Sequence, residues 1–133
     1  MNVEDSGLHH VTLRVRDLGT SRDFYEQVLG LKVEVFPDRL RLRLGGTRLL
    51  LREPLEGTAS SDRFSEYRVG LDHIAFSVSE REELGRLIER LRASGVKTRG
   101  IQSWEEGGSR AEFVCLRDPD NIQLEFWWPD PGG

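Results

Sequence analysis

Two short stretches alternate in the same way. In His10-Val11-Thr12-Leu13-Arg14-Val15, the residues Val11, Leu13 and Val15 share one face; in His73-Ile74-Ala75-Phe76-Ser77-Val78, the residues Ile74, Phe76 and Val78 do the same. A period of two predicts strands covered on one side, each opened by a histidine on the side opposite the core. The offset is 63 residues, from 10 to 73.

The segments after these two strands repeat as well. After Asp17-Leu18-Gly19-Thr20, the residues Phe24, Tyr25, Val28 and Leu29 fall at helical spacing, and Gly30 supplies the left-handed conformation that ends a helix. In the second half Ser79 and Glu82 read as a capping box, Leu84, Leu87, Ile88 and Leu91 form the buried stripe, and Gly95 closes it. Strand-like sequence resumes at Leu31 to Val35 and at Val96 to Thr98. Arg39 to Leu44 then alternates strictly, turns at Gly45-Gly46 and returns through Leu49 to Leu51, a hairpin by pattern and turn chemistry. Its counterpart runs from Ala111 to Leu116, turns at Asp118-Pro119-Asp120-Asn121 and returns from Ile122 to Trp127, with Asn121 suited to a left-handed turn position. Each half therefore predicts strand, helix, strand, strand, strand. The expected bounds are 8–53 for module one, 54–70 for a connecting segment and 71–128 for module two, in one domain of 1–133. The connecting segment, rich in Ser, Gly and charge, reads as a linker, with a mobile flap as the alternative.

A length of 133 residues and a 37% share of hydrophobic residues suit one such doubled domain and exclude a multidomain machine. The balance of 19 basic and 23 acidic residues gives a net charge of −4, which argues against nucleic acid as the main partner. No apolar run approaches the ~18–20 residues of a membrane span, so a cytoplasmic protein with no membrane partner is expected. Cys115 is the single cysteine, which removes intrachain disulfides and cysteine-rich zinc clusters. A metal must then rest on histidines and carboxylates.

Candidates for that role exist. His10 and His73 sit at equivalent places in two repeated units and approach one another if a pseudo-twofold relates the units. On the last strand, alternation puts Glu125 on a face with Gln123 and Trp127, opposite Leu124, Phe126 and Trp128. Two histidines and one glutamate form a ligand set for a divalent metal with open positions. Ligand type admits Fe, Mn, Zn or Ni.

The doubled βαβββ pattern resembles the vicinal oxygen chelate superfamily, which contains glyoxalase I, extradiol dioxygenases, methylmalonyl-CoA epimerase, fosfomycin-resistance thiol transferases and bleomycin-binding proteins. The resemblance rests on His10 to Leu18, Phe24-Tyr25 with Leu29-Gly30-Leu31, Leu71 to Phe76 and Asp118 to Glu125. It implies an α+β fold of two βαβββ modules forming a curved mixed sheet, with a metal in the concave face on His10, His73 and Glu125. His9, whose repeat counterpart is Asp72, has the wrong parity for a ligand. The family's four-ligand members take their fourth from the first module, in glyoxalase I from its last strand, where this chain has Leu50 or Leu51, with Glu53 out of register. The tyrosine that extradiol and fosfomycin-type members place before the Asp-Pro turn is Cys115 here, and Trp104 to Glu112 holds no histidine.

Three further readings concern the substrate. Arginine supplies all the basic residues except Lys32 and Lys97, and Arg14, Arg41 and Arg43 are candidates for an anionic ligand, or else solvated guanidinium groups guarding a sheet edge. Cys115 reads as a small buried hydrophobe, with a nucleophile as the alternative. Trp127 is a candidate aromatic wall of the site, or a core or dimer contact. The resemblance implies a metal-dependent enzyme acting on a small molecule by chelating vicinal oxygens, through lyase, dioxygenase or thiol-transferase chemistry, and a homodimer is expected. The alternative is a metal-free sequestering protein of the bleomycin-resistance type.

Overall fold

The computed structural model describes residues 7–129 and divides the chain into two compact units, one ending at Asp62 and the other beginning at Arg63. Both use the same element order. The first contains β1 (His10–Arg14), α1 (Leu18–Asp23) continuing as a π-helical turn (Phe24–Val28), β2 (Val33–Phe36), β3 (Arg39–Leu44) and β4 (Thr47–Arg52). The second contains β5 (Ile74–Ser77), α2 (Arg81–Ala93), β6 (Ile101–Glu106), β7 (Ser109–Arg117) and β8 (Gln123–Trp128). Among the described residues no helix is long and apolar enough to cross a membrane.

Each unit builds a four-stranded mixed sheet, ordered β1-β4-β3-β2 in the first and β5-β8-β7-β6 in the second. The first strand of each lies parallel to the last, and the remaining pairs are antiparallel. This is the doubled βαβββ arrangement that the repeat predicts. One face of each sheet is apolar because alternation places Leu40 and Leu42 of β3 and Leu49 and Leu51 of β4 on the buried side. In the second unit Val114, Leu116, Leu124 and Phe126 lie buried together with the Leu84, Leu87, Ile88 and Leu91 stripe of α2. Each such side chain contributes about 1.5–3 kcal/mol on burial.

Local chemistry sets the helix ends. Asp17 caps α1, accepting from the Thr20 backbone N–H at 2.7 Å, and this bond holds its carboxyl below the usual carboxylate range. The capping box of α2 is formed by Glu80 and Glu83, one residue beyond the expected Ser79 and Glu82. Ser79 instead donates its backbone N–H to Glu83 at 3.1 Å, so the long glutamate reaches past the cap.

The expected strand at Val96 to Thr98 does not form. Residues 96–100 are a connection bounded by two glycines at positive φ, Gly95 at 69° and Gly100 at 78°, and β6 begins only at Ile101. The turn at Asp118 to Asn121 adopts its predicted chemistry. Asn121 has φ 68°, and Asp118 Oδ1 accepts from the backbone N–H groups of Asp120 and Ile122, each at 2.8 Å.

The connecting segment is tied to this turn at its far end. Phe64 donates its backbone N–H to the Asp120 carbonyl at 3.0 Å, and Asn121 Nδ2 donates to the Phe64 carbonyl at 3.0 Å. Arg117 grips Glu66 through two hydrogen bonds of 2.7 and 3.1 Å. The Arg117 guanidinium, chiefly through hydrogen bonding, lowers the Glu66 carboxyl from 4.5 to about 2.

Candidate functional site

In the second unit, β8 runs parallel to β5 with Ala75 opposite Glu125, which brings Glu125 beside the residue two positions after His73. His73 itself lies one residue before β5. Its Nε2 stands 3.5 Å from Glu125 Oε2. Asp72 Oδ1 lies 2.6 Å from His73 Nδ1. A carboxylate only accepts, so this contact places an imidazole proton on Nδ1 and leaves Nε2 as the ring nitrogen that faces Glu125.

Glu125 is 8% exposed, and both of its oxygens are held from the sheet. Gln123 Nε2 donates to Oε1 at 3.0 Å, and the Trp127 indole N–H donates to Oε2 at 2.7 Å. Such contacts between residues two apart are a direct product of strand alternation, and they place Gln123, Glu125 and Trp127 on one face as the sequence predicts. Phe113, opposite Trp127 across β7 and β8, stacks on its ring at 4.5 Å between centroids with a 10° interplanar angle.

This geometry suits a divalent cation. Two donors each about 2.1 Å from one tetrahedral ion stand about 3.4 Å apart, close to the observed 3.5 Å. The Asp72 contact is of the kind by which an outer carboxylate orients a metal-binding imidazole. Among the described residues no group of three His, Cys, Asp or Glu side chains forms a complete ligand set.

His10 belongs to the first unit, where it opens β1 opposite Arg48 of β4. Its Nδ1 is 2.8 Å from His9 Nδ1, and Arg48 lies 3.1 Å from His9 Nε2. His9 therefore contacts both neighbours, as Asp72 contacts His73. The register also fixes the first unit's counterpart of Glu125. Thr12, two residues after His10, pairs with Leu50, as Ala75 pairs with Glu125. A leucine thus occupies the carboxylate position of module one, and Glu53 lies beyond the end of β4.

The arginine candidates have partners of their own. Arg41 and Arg43 both bind Glu34, at 2.7 and 2.9 Å. Hydrogen bonding to Arg41 is the main cause that lowers the Glu34 carboxyl to about 2. Arg14 donates to the Glu53 carbonyl at 2.8 Å. Arg41 and Arg39 also lie over the Phe36 ring, at 4.7 and 4.3 Å from its centroid.

A cavity of about 500 Å³ opens in the second unit, with Phe113, Cys115, Gln123 and Glu125 in its wall and Lys97, Thr98, Arg99 and Gln102 around it. Cys115 is half-buried and pairs with Glu125 across β7 and β8. Burial first, and the Glu125 charge second, push its thiol up from 9.0, so the sulfur is protonated at neutral pH. The roles of Asp72 and of the Lys97 to Gln102 segment escape sequence reading. Asp72 registers there only as the counterpart of His9, and Gln102 lies on a strand with no apolar period.

Residues 7–126 match the Glyoxalase/Bleomycin resistance protein/Dioxygenase superfamily. A curated relative, catechol-2,3-dioxygenase of Bacillus subtilis (strain 168), is 33% identical over 130 residues, which cover 96% of this chain and 43% of that protein. The chain thus spans less than half the length of that relative. Among solved structures, a glyoxylase/bleomycin resistance protein/dioxygenase domain from Frankia sp. EAN1pec has a TM-score of 0.74 at 36% identity, covering 92% of this chain and 96% of that one. A putative glyoxalase from Bacillus halodurans has a TM-score of 0.74 at 26% identity, covering 95% and 98%.

Proposed function

On the premise that the chain belongs to the glyoxalase/bleomycin resistance protein/dioxygenase superfamily, we propose that it is a divalent-metal-dependent enzyme acting on a small molecule. His73 and Glu125 hold the ion, and His10, the repeat counterpart of His73, supplies the third ligand. The observation that carries this reading is the 3.5 Å approach of His73 Nε2 to Glu125 Oε2, with each group oriented from behind by Asp72 or by Trp127 and Gln123.

Fe, Mn, Zn and Ni all suit one carboxylate and two imidazoles. When bound, the ion supplies Lewis acidity toward vicinal oxygens and stabilises developing enolate or oxyanion charge. The chain's own residues prepare the site. Asp72 keeps the proton on His73 Nδ1, so Nε2 is the donor atom. Trp127 and Gln123 fix the Glu125 carboxylate at low entropic cost, and Phe113, stacked on Trp127, gives the cavity a flat apolar wall. Cys115 stays a neutral thiol in that wall. Leu50 at the position matching Glu125 leaves a three-ligand set, which keeps coordination positions open for substrate.

The relative named catechol-2,3-dioxygenase makes catechols the first compounds to assay, with 2-oxoaldehydes and thiol–acceptor pairs next. The test is to load the protein with each of the four metals and screen these classes for turnover, with His73→Ala as control. Turnover that requires metal and is lost in the variant supports the reading. Binding of a small molecule that is indifferent to metal and to His73→Ala, without turnover, replaces it with a sequestering protein of the bleomycin-resistance type. The homodimer is tested by light scattering of the same preparation.

A further inference from the structure

The cavity beside Glu125 is electrically lopsided. Its one carboxylate, Glu125, is hydrogen-bonded on both oxygens. It also has three cations around it, Lys97, Arg99 and Arg117. Arg117 is committed, since Glu66 takes two of its N–H groups and the Asn121 carbonyl a third contact at 3.1 Å. Lys97 and Arg99 make no hydrogen bond or ion pair with any described residue. Elsewhere in the chain the arginines of β3 are closed onto Glu34 and Asp38. With Arg117 offset by Glu66, Lys97 and Arg99 against Glu125 leave this cavity net positive.

The segment carrying these two cations is anchored. Thr98, which stands between them, donates its hydroxyl to the Cys115 carbonyl at 3.1 Å and accepts from the Gly100 backbone N–H at 3.2 Å. These bonds tie the connection to β7, whose Phe113 and Cys115 also line the cavity. Two cations without an ion-pair partner are thereby set around one cavity whose wall includes Phe113, itself stacked on Trp127.

We infer that this cavity takes a small, flat organic acid, its carboxylate or related oxyanion held by Lys97 and Arg99 and its apolar part laid against Phe113. The inference rests on the proposed substrate site and names the substrate class for it. A lysine and an arginine around one cavity suit an oxyanion, because charge-assisted bonds to both persist where a neutral amide gains little. It also moves anion recognition away from Arg14, Arg41 and Arg43, whose guanidinium groups are already in use.

Benzoate and benzamide, which share a shape and differ in charge, separate the possibilities. Each is titrated into the full chain, first with chelator present and then after zinc loading, with the Trp127 indole N–H monitored by NMR. The expected result is that benzoate binds about tenfold or more tightly than benzamide in both conditions. The Lys97→Met/Arg99→Gln variant, altered only at exposed positions, should bring the two ligands to within about twofold, with the spectrum otherwise unchanged. Equal binding of the two ligands to the unaltered chain, no binding of either, or a benzoate preference that survives the double variant each overturns the inference. A preference that appears only with zinc and survives the double variant places the anion on the metal, which overturns this inference while supporting the metal site. Failure to bind zinc with the preference intact does the reverse.

Discussion

Trp127 donates its indole N–H to Glu125 Oε2 at 2.7 Å, the same oxygen that stands 3.5 Å from His73 Nε2. The carboxylate oxygen nearest the imidazole is therefore positioned by a rigid ring that is itself clamped by Phe113. Trp127→Phe keeps the stacking surface and removes the donor. Metal affinity should fall about 10–100-fold, the usual loss when an outer contact to a ligand is removed. Calorimetric titration of both proteins checks this.

Asp72 acts on the other partner. Asp72→Asn can offer an amide N–H to His73 Nδ1 in place of the carboxylate, which releases the proton from Nδ1 to Nε2. Nitrogen-15 NMR of the metal-free protein should show the His73 tautomer shift toward Nε2–H, with a loss of metal affinity of about 10–100-fold. In the natural chain the same spectrum should show a proton on His73 Nδ1, and a proton on Nε2 alone would contradict the assignment drawn from the 2.6 Å contact.

These two contacts mark the boundary of what the chain reveals before folding. The strand period places Gln123, Glu125 and Trp127 on one face, and the repeat pairs His10 with His73. The contact of Asp72 with His73 joins adjacent residues whose side chains alternation would separate, so no period signals it. Strand β6 is likewise invisible to hydropathy. Most of Ile101 to Glu106 is exposed, and the strand pairs only with β7 at the sheet edge, so it has no buried face to impose alternation. Thr98 is anchored on β7 within a connection bounded by two glycines at positive φ, where the pattern of Val96 to Thr98 alone predicts a strand. The choice between Leu50 and Leu51 as the counterpart of Glu125 needed the β1–β4 register.

The Glu66–Arg117 pair predicts a pH dependence. The folded Glu66 carboxyl lies at about 2 against an ordinary 4.5. Its stabilisation is therefore complete above about 4.5 and is lost as pH falls toward about 2. Glu66→Gln should unfold at lower denaturant concentration than the natural chain at pH 7, with the gap closing as the pH approaches 2. A gap independent of pH would contradict the pairing.

Cys115 should be slow toward iodoacetamide at pH 7.5, because burial and the Glu125 charge both raise its thiol above 9.0. Its rate should still be climbing with pH beyond that value. Cys115→Ala should leave metal affinity within about twofold, since a protonated thiol is neither ligand nor nucleophile.

Leu91 has no exposed surface on the buried stripe of α2. Leu91→Ala should cost about 2–5 kcal/mol by leaving a cavity. Denaturant unfolding monitored by tryptophan fluorescence measures the loss.

The most direct test of the proposed metal site is the stoichiometry and affinity of zinc for stripped protein, measured by calorimetry with elemental analysis. It should be compared among the natural chain, His10→Ala, His73→Ala and Glu125→Gln. One ion per chain, bound tightly in the natural protein and lost in all three variants, is the predicted result. Absence of binding, or binding that all three substitutions leave unchanged, would contradict it.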